Sequence, residues 1–576
     1  MIDYPPYPDD HETVIRIFSG STNTFQDNCP THMRTKTDYS TKRTERKKYP
    51  TLADMPFSPL NAVLDLVEHQ GQTVDRACAE LPSPGERVRG IMGELIRPPH
   101  EGLLTWTRHA AHAYLYSLEE DAHGTGSRRI PVYDPWVRQY LPEDYAGRTR
   151  PYELCVWGRR YILREGEETV RELRIPVLGP LGRRRRDEAE IAVAAFVLAT
   201  GTHVDRDMVA KSPGHYFGGA PFPMRHDPSR TQLPHRVRIV EVSCLDSSVS
   251  SPPLYEGSVS EAEEFYAASG REALHALLRG TNRVPGSDCL SCKVRGGCGQ
   301  LRSAPGLLGI HDRSRPRRTW SITSGRYFRD CPAKEHFRSL HLPFENSVEN
   351  PAAVRQGRAV HAWLDVLHMR SPRRPCTTDD LPRSHDSWAA GGWSLTGEEA
   401  QQAAAMLLGH IEVCPFQDVS PSASVHVEQT VTADDPAADV LVLAKADLLY
   451  QRDGAWVYRE LKTTSSDYTP GSRWLLSRHP QLALAILLFD RGVIPLGAGS
   501  SVELETLTPN GPDVRILDPH SDLTTSRART VIQELAGSWH ADTSHVPTPA
   551  QEVCGRCAYR RWCPSSADLE KETDSP

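Results

Sequence analysis

The chain has 576 residues, 38% of them hydrophobic and 24% charged, with a net charge of −7. That length holds two to four domains, and the acidic balance excludes a protein that coats polyanions with its whole surface, though not one with a local basic channel. Apolar runs such as 191–199 (IAVAAFVLA) and 482–489 (LALAILLF) are too short to span a bilayer, and the opening MIDYPPYPDDHE lacks a charged-then-apolar signal, so a cytoplasmic protein with no membrane partner is expected.

In chain order, the first feature is a lone cysteine, Cys29, in the context TFQDNCP. A basic stretch follows at 34–48 and an arginine run at 183–186. Both read first as solvated segments, with phosphate contact as the functional alternative. The triplet Cys289, Cys292, Cys298 then spells C-x-x-C-x-x-x-x-x-C. The Gly-, Pro-, Ser- and Arg-rich stretch 299–320 reads as a linker, with a first domain over 1–305 and the linker proper at 306–320. Past it the cysteine pattern starts again: Cys331 in YFRDCP, then Cys554, Cys557 and Cys563 with identical triplet spacing. A repeat this long implies two related domains, the second over 321–565, followed by a tail at 566–576. In a reducing compartment such clusters are metal ligands rather than disulfides. Four thiolates suit Zn²⁺ or a [4Fe–4S] cluster. Either would close a very long loop and act as a staple. The remaining cysteines, Cys78, Cys155, Cys244, Cys376 and Cys414, are scattered and are given no role.

Within the second domain a short helix is expected after Cys331, then an apolar-periodic helix over 353–369 carrying His361. A strand is expected at 426–433. The segment 440–450, the turn QRDG and the segment 455–463 predict a hairpin, with Asp453-Gly454 as its turn. A helix over about 478–489, a strand over 502–509 and a final helix complete an α/β core with a mixed sheet flanked by helices. Side chains alternate along a strand, so Glu460 and Lys462 share a face, and Asp447 on the opposite strand reaches that face at the same level. Converging carboxylates bind a hard divalent cation, Mg²⁺ or Mn²⁺. A lysine beside them can serve an attacking water or offset phosphodiester charge.

These elements resemble the PD-(D/E)XK nuclease superfamily, in particular its RecB-like branch with a four-cysteine iron–sulfur cluster. The resemblance rests on Cys331, GRAVHAWL with His361, KAD with Asp447, ELK with Glu460 and Lys462, the helix at Gln481 and CGRCAYRRWCP, in that order. It implies a restriction-endonuclease-like fold and a DNA nuclease, an exonuclease on single-stranded or end-containing DNA. It also implies His361, Asp447 and Glu460 as metal ligands, Lys462 as catalytic lysine, and a [4Fe–4S] cluster on Cys331, Cys554, Cys557 and Cys563. Gln481 keeps the family's helix position, but Ala485 stands where the Q-x-x-x-Y pattern has tyrosine. By the repeat, Cys29, Cys289, Cys292 and Cys298 hold an equivalent cluster. No G-x-x-x-x-G-K-[ST] motif occurs, so a separate helicase or other repair or defence protein is the expected partner on duplex ends.

The first copy is aligned through AHAYL at His112, IAVAAFVLA as a strand placing Phe196 at the Asp447 position, and RIVEVS placing Glu241 and Ser243 at Glu460 and Lys462. On that alignment it is an inactive copy with no room for a glutamine helix. A non-catalytic DNA-end-binding or scaffold protein is the competing reading.

Overall fold

The Asp453-Gly454 turn carries positive φ at both positions, 51° and 80°, the geometry a two-residue hairpin needs to match strand twist. It anchors the C-terminal sheet, seen in a computed structural model that describes residues 13–23, 28–43, 55–83, 98–125, 128–140, 151–182, 185–211, 219–225, 233–345, 348, 351–465, 471 and 474–566. The acidic opening, most of the second half of the 34–48 stretch, Arg183, Arg184 and the C-terminal tail lie outside the described residues.

The described strands before residue 300 are β1 Ile15–Phe18, β2 Ile130–Pro131, β3 Trp136–Tyr140, β4 Tyr152–Cys155, β5 Arg159–Glu165, β6 Glu168–Val177, β7 Thr202–His203, β8 Arg236–Ser243 and β9 Tyr255–Ser258. They form a small sheet, β1-β4-β3-β7, and a five-stranded sheet, β2-β5-β6-β8-β9. After residue 300 come β10 Arg302–Ser303, β11 Arg318–Trp320, the hairpin β12 Ser387–Ala390 and β13 Trp393–Thr396, then β14 Val425–Asp435, β15 Val440–Arg452, β16 Ala455–Thr463, β17 Ser501–Thr508 and β18 Gly511–Leu517. The last five are neighbours in that order, with β10 on β14 and β11 on β15.

The two larger sheets share one pattern. In β14 to β18 the successive pairings are antiparallel, antiparallel, parallel, antiparallel. In β2-β5-β6-β8-β9 they are the same. The parallel step in each needs a crossover, and each crossover contains a buried apolar helix, Glu188–Thr200 before β8 and Pro480–Asp490 before β17. The segment IAVAAFVLA is therefore a helix, not a strand, and Phe196 does not stand at the Asp447 position. A uniformly apolar run fits a buried helix as well as a buried strand, so periodicity did not separate them.

Each large sheet is covered on both faces. The Pro480–Asp490 and Asp522–Ala541 helices pack one face of the C-terminal sheet, and the Ala352–Met369 and Gly397–Val413 helices the other. The 306–320 segment is not a free linker: Leu307, Leu308 and Ile310 are buried in the C-terminal core, and β11 joins its sheet. Those apolar side chains, spaced between glycines and prolines, outweigh the flexible composition around them.

The halves pack together. Leu103 and Trp106 from the Glu101–Thr125 helix share one apolar cluster with Cys331, Phe337, Tyr559 and Trp562. His336 sits in this seam, stacked on His545 at 4.4 Å and near His100 at 5.0 Å. Burial, aided by His545 and His100 and opposed by Asp542, pushes the His336 imidazole down to about 3. The folded state thus favours neutral His336, so its contribution is complete above the ordinary value near 6.5 and is lost as pH falls from there toward 3. At pH 5 the loss is about 2 kcal/mol. The melting temperature is expected to fall between pH 6.5 and 5, and His336→Phe is expected to flatten that slope; equal slopes in both proteins would refute the assignment.

Candidate active site and cysteine clasps

The antiparallel ladder between β15 and β16 ends at Leu448 opposite Arg459. The next pair in that register is Asp447 and Glu460, and there the hairpin opens. The first residues of β15 pair instead with β11, Arg318 opposite Val440. At the mouth, Asp447 Oδ2 accepts the Leu461 N–H at 2.6 Å, and Lys462 Nζ donates to Glu460 Oε1 at 2.5 Å. His361, from the Ala352–Met369 helix, places Nδ1 3.6 Å from Asp447 Oδ1. The structure thus brings His361, Asp447, Glu460 and Lys462 together. Gln481 lies at the start of the Pro480–Asp490 helix with its Oε1 buried and unpartnered. Ala485 is fully buried in the apolar core and offers no functional group.

Glu428 joins the site and was missed in the sequence. On β14 it falls opposite Asp447, between the pairs Val427–Leu448 and Gln429–Ala446. Its φ is 52°, a sparsely populated conformation for a non-glycine residue, of the kind that collects at functional sites. Ligand atoms of His361, Glu428 and Asp447 lie within 4.8 Å of one another. The signal was the strand register, which requires knowing that β14 pairs with β15.

The acids crowd one another, with Lys445 paired to Glu428 and Lys462 to Glu460. Burial pushes the Glu460 carboxyl up, Lys462 counters it, and Asp447 pushes it further. Asp365, one turn beyond His361, is pushed up to about 7 by burial, Glu428 and Asp447. Burial also holds His361 below its ordinary value despite Asp447, which favours the neutral imidazole that ligation needs. Burial opposes the Lys462 charge, but Glu460 and Asp447 outweigh it and keep the ammonium protonated. Glu460 Oε2 is buried without a hydrogen-bond partner, an acceptor that a bound cation would satisfy. The residues present therefore fit a divalent metal. Glu428→Gln is expected to weaken Mn²⁺ binding by about ten-fold, because carboxylate charge count sets affinity; calorimetric titration against the unaltered chain checks this.

In the five-stranded sheet the strand matching β16 is β6, not β8. It carries Arg171-Glu172-Leu173-Arg174 where β16 has Arg459-Glu460-Leu461-Lys462. Glu172 pairs across the ladder with Tyr161, the position of Asp447. Three guanidinium groups surround Glu172: Arg129 at 2.7 Å, Arg174 at 3.3 Å and Arg238 at 3.6 Å. They neutralise the buried Glu172 carboxylate within the protein. Glu241, read as the Glu460 counterpart, instead sits on β8 bonded to Arg186 at 2.6 Å, so that arginine serves an internal ion pair. Ser243 is buried on the same strand, and His112 is exposed. Both strands carry the same Arg-Glu-Leu tripeptide.

Cys29, Cys289, Cys292 and Cys298 line one small enclosed space, and Cys331, Cys554, Cys557 and Cys563 line another. Cys29 and Cys331 each occupy the N-cap of an eight-residue helix with proline at its start, Pro30–Thr37 and Pro332–Ser339. In both triplets a 3₁₀ turn immediately precedes the last cysteine. All eight are free thiols, and an all-sulfur donor set fits a soft metal centre. Of the five remaining cysteines, Cys78, Cys155 and Cys244 are single buried residues as expected. Cys376 and Cys414 are not scattered: they meet His368 and His410.

A mixed sheet with an acidic cluster at an opening hairpin offers a candidate cation site on an α/β scaffold. Residues 319–564 match the model of the PD-(D/E)XK nuclease superfamily, whose members usually hydrolyse phosphodiester bonds in nucleic acids with divalent metals. No curated protein matches the chain. Among solved structures, one titled "Crystal structure of SSO0001" is 16% identical over 25% of this chain, with a TM-score of 0.17. The chain spans 61% of that protein's length. Among the described residues no helix is long and apolar enough to cross a membrane.

Proposed function

We propose that the chain is a metal-dependent DNA nuclease of the RecB-like, cluster-stapled kind. Residues 321–565 would form the active domain and residues 1–305 a degenerate copy of the same fold. The observation that carries this reading is the convergence of His361, Glu428, Asp447, Glu460 and Lys462 at the mouth of one hairpin inside the matched superfamily region. His361, Glu428, Asp447 and Glu460 would hold Mg²⁺ or Mn²⁺. A bound cation there polarises the phosphodiester and makes water a better nucleophile. Lys462 Nζ stands beside Glu460, placed to orient that water and offset charge growing on the phosphate oxygens. Arg326, close enough to Glu460 to influence it, adds positive charge on the same side. Gln481, with its buried and unpartnered Oε1, is a further polar group for substrate or Lys462.

In the first copy, Tyr161 for Asp447 and Arg174 for Lys462 remove the acid and the lysine, so that half would brace the active one or hold DNA. Both cysteine clasps are read as [4Fe–4S] sites with a stapling role, zinc being the other metal that the donor set accepts. Single-stranded or end-containing DNA is the proposed substrate, with a separate helicase or other repair or defence protein as partner on duplexes. The test is cleavage of 5′- and 3′-labelled single-stranded DNA by the full chain in Mn²⁺. Degradation sensitive to Lys462→Ala supports the nuclease; tight binding of ends without cleavage supports the scaffold reading and overturns it.

A further inference from the structure

We propose that His368, Cys376, His410 and Cys414 form a tetrahedral zinc site, separate from both four-cysteine clasps and from the cation site at Asp447. All four residues are buried, and one ligand atom from each lies within 4.8 Å of the others. His368 ends the Ala352–Met369 helix, and Cys376 lies in the segment after it. His410 is in the last turn of the Gly397–Val413 helix, and Cys414 is its C-cap. A four-residue spacing at a helix end puts His410 and Cys414 on one face.

The geometry is that of a closed Cys₂His₂ site. His368 Nε2 and His410 Nε2 stand 3.2 Å apart. Two imidazole nitrogens bound to one tetrahedral Zn²⁺ at ~2.0–2.1 Å are about 3.3 Å from each other, so the rings need no rearrangement. His410 Nδ1 faces Glu505 Oε1 at 2.5 Å, and Glu505 in turn accepts Arg459 Nη1 at 2.9 Å. A proton on Nδ1 shared with that carboxylate leaves the Nε2 lone pair for the metal, the usual outer arrangement around a zinc-bound imidazole. The Cys376 N–H points to Cys414 Sγ at 3.4 Å, as a backbone amide does toward a thiolate. Charge also balances: two thiolates offset Zn²⁺, and Arg459 offsets Glu505. A neutral assembly is what a site this deeply buried can hold.

The fold explains how these distant residues meet. Gly409 lets its helix lie close on β18; a Cβ there would stand 3.3 Å from Pro512 Cδ. That approach sets the adjacent His410 over Glu505 on β17. The helix ending in His368 also carries His361, two turns earlier. A zinc ion joining His368 to the Gly397–Val413 helix therefore fixes the element that presents His361 to Asp447, and His368 is in that sense a positioning residue.

The test is zinc and iron content of the full chain, purified anaerobically, beside Cys376→Ser/Cys414→Ser. The double variant is expected to lose about one zinc per chain with iron unchanged. X-ray absorption at the zinc edge of the unaltered protein is expected to show imidazole nitrogen together with sulfur. Glu505→Gln, which keeps all four ligands, is expected to bind zinc about ten- to hundred-fold more weakly in a chelator competition. If the double variant does not fold, the latter two measurements decide. Unchanged zinc in a folded double variant, a zinc shell without nitrogen, or a Cys376–Cys414 disulfide recovered under non-reducing denaturation would overturn the proposal.

Discussion

Asp447→Asn is expected to reduce Mn²⁺-dependent cleavage of labelled DNA by on the order of 10³-fold while leaving the fold intact. The side chain has two jobs that this change separates. One oxygen accepts the Leu461 N–H at the point where β15 and β16 part, and an amide oxygen can still do so. The other faces His361 across 3.6 Å, and there the negative charge is what a cation would use. Asp447→Ala removes both and is expected to cost a further 1–3 kcal/mol, roughly the penalty for stranding a buried N–H. Cleavage rates and thermal melts on the two variants distinguish these effects. Unchanged cleavage by Asp447→Asn would remove Asp447 from the site. Lys462→Ala is a less clean probe, because it also leaves buried Glu460 without its counter-ion.

The second large effect concerns the clasp at Cys331. Ligation there would join residues 331 and 554 across a loop of 223 positions, and a cross-link over so long a span is worth about 5 kcal/mol by loop entropy. Cys557→Ser is therefore expected to lower the melting temperature sharply and to release the metal. The damage should not stay in the C-terminal half. Cys331, Tyr559 and Trp562 pack in one cluster with Leu103 and Trp106, so amide exchange should accelerate in the Glu101–Thr125 helix as well. Cys292→Ser, in the other clasp, is expected to spare that helix. Equal protection of Glu101–Thr125 in Cys557→Ser and in the unaltered chain would show that the clasp does not support the seam.

Much of the site was legible because its rules are local. Alternation along β16 put Glu460 and Lys462 on one face, and Asp453-Gly454 specified the turn that sets Asp447 against Glu460. The identical spacing of the two cysteine triplets was plain in the chain, and each set lines one small space. Less legible were features that depend on which strands become neighbours. Glu428 has no motif of its own; it matters because β14 lies beside β15. Residues 191–199 were misread as a strand because they are uniformly apolar, and such a run carries no period to tell helix from strand. The match of Arg-Glu-Leu in β6 and β16 was present in the chain, but only the shared order of strand pairings gave it meaning.

The residues by themselves determined the hairpin, the two cysteine frames and the acid–lysine cluster, since turn chemistry and side-chain alternation act over a few positions. Only the tertiary structure decided that the 306–320 segment docks into the C-terminal core and that Arg129, Arg174 and Arg238 gather around Glu172. It alone brought Cys376 and Cys414, 38 residues apart, together with His368 and His410. These outcomes depend on burial and on charge gathered from distant parts of the chain, and no local pattern encodes them.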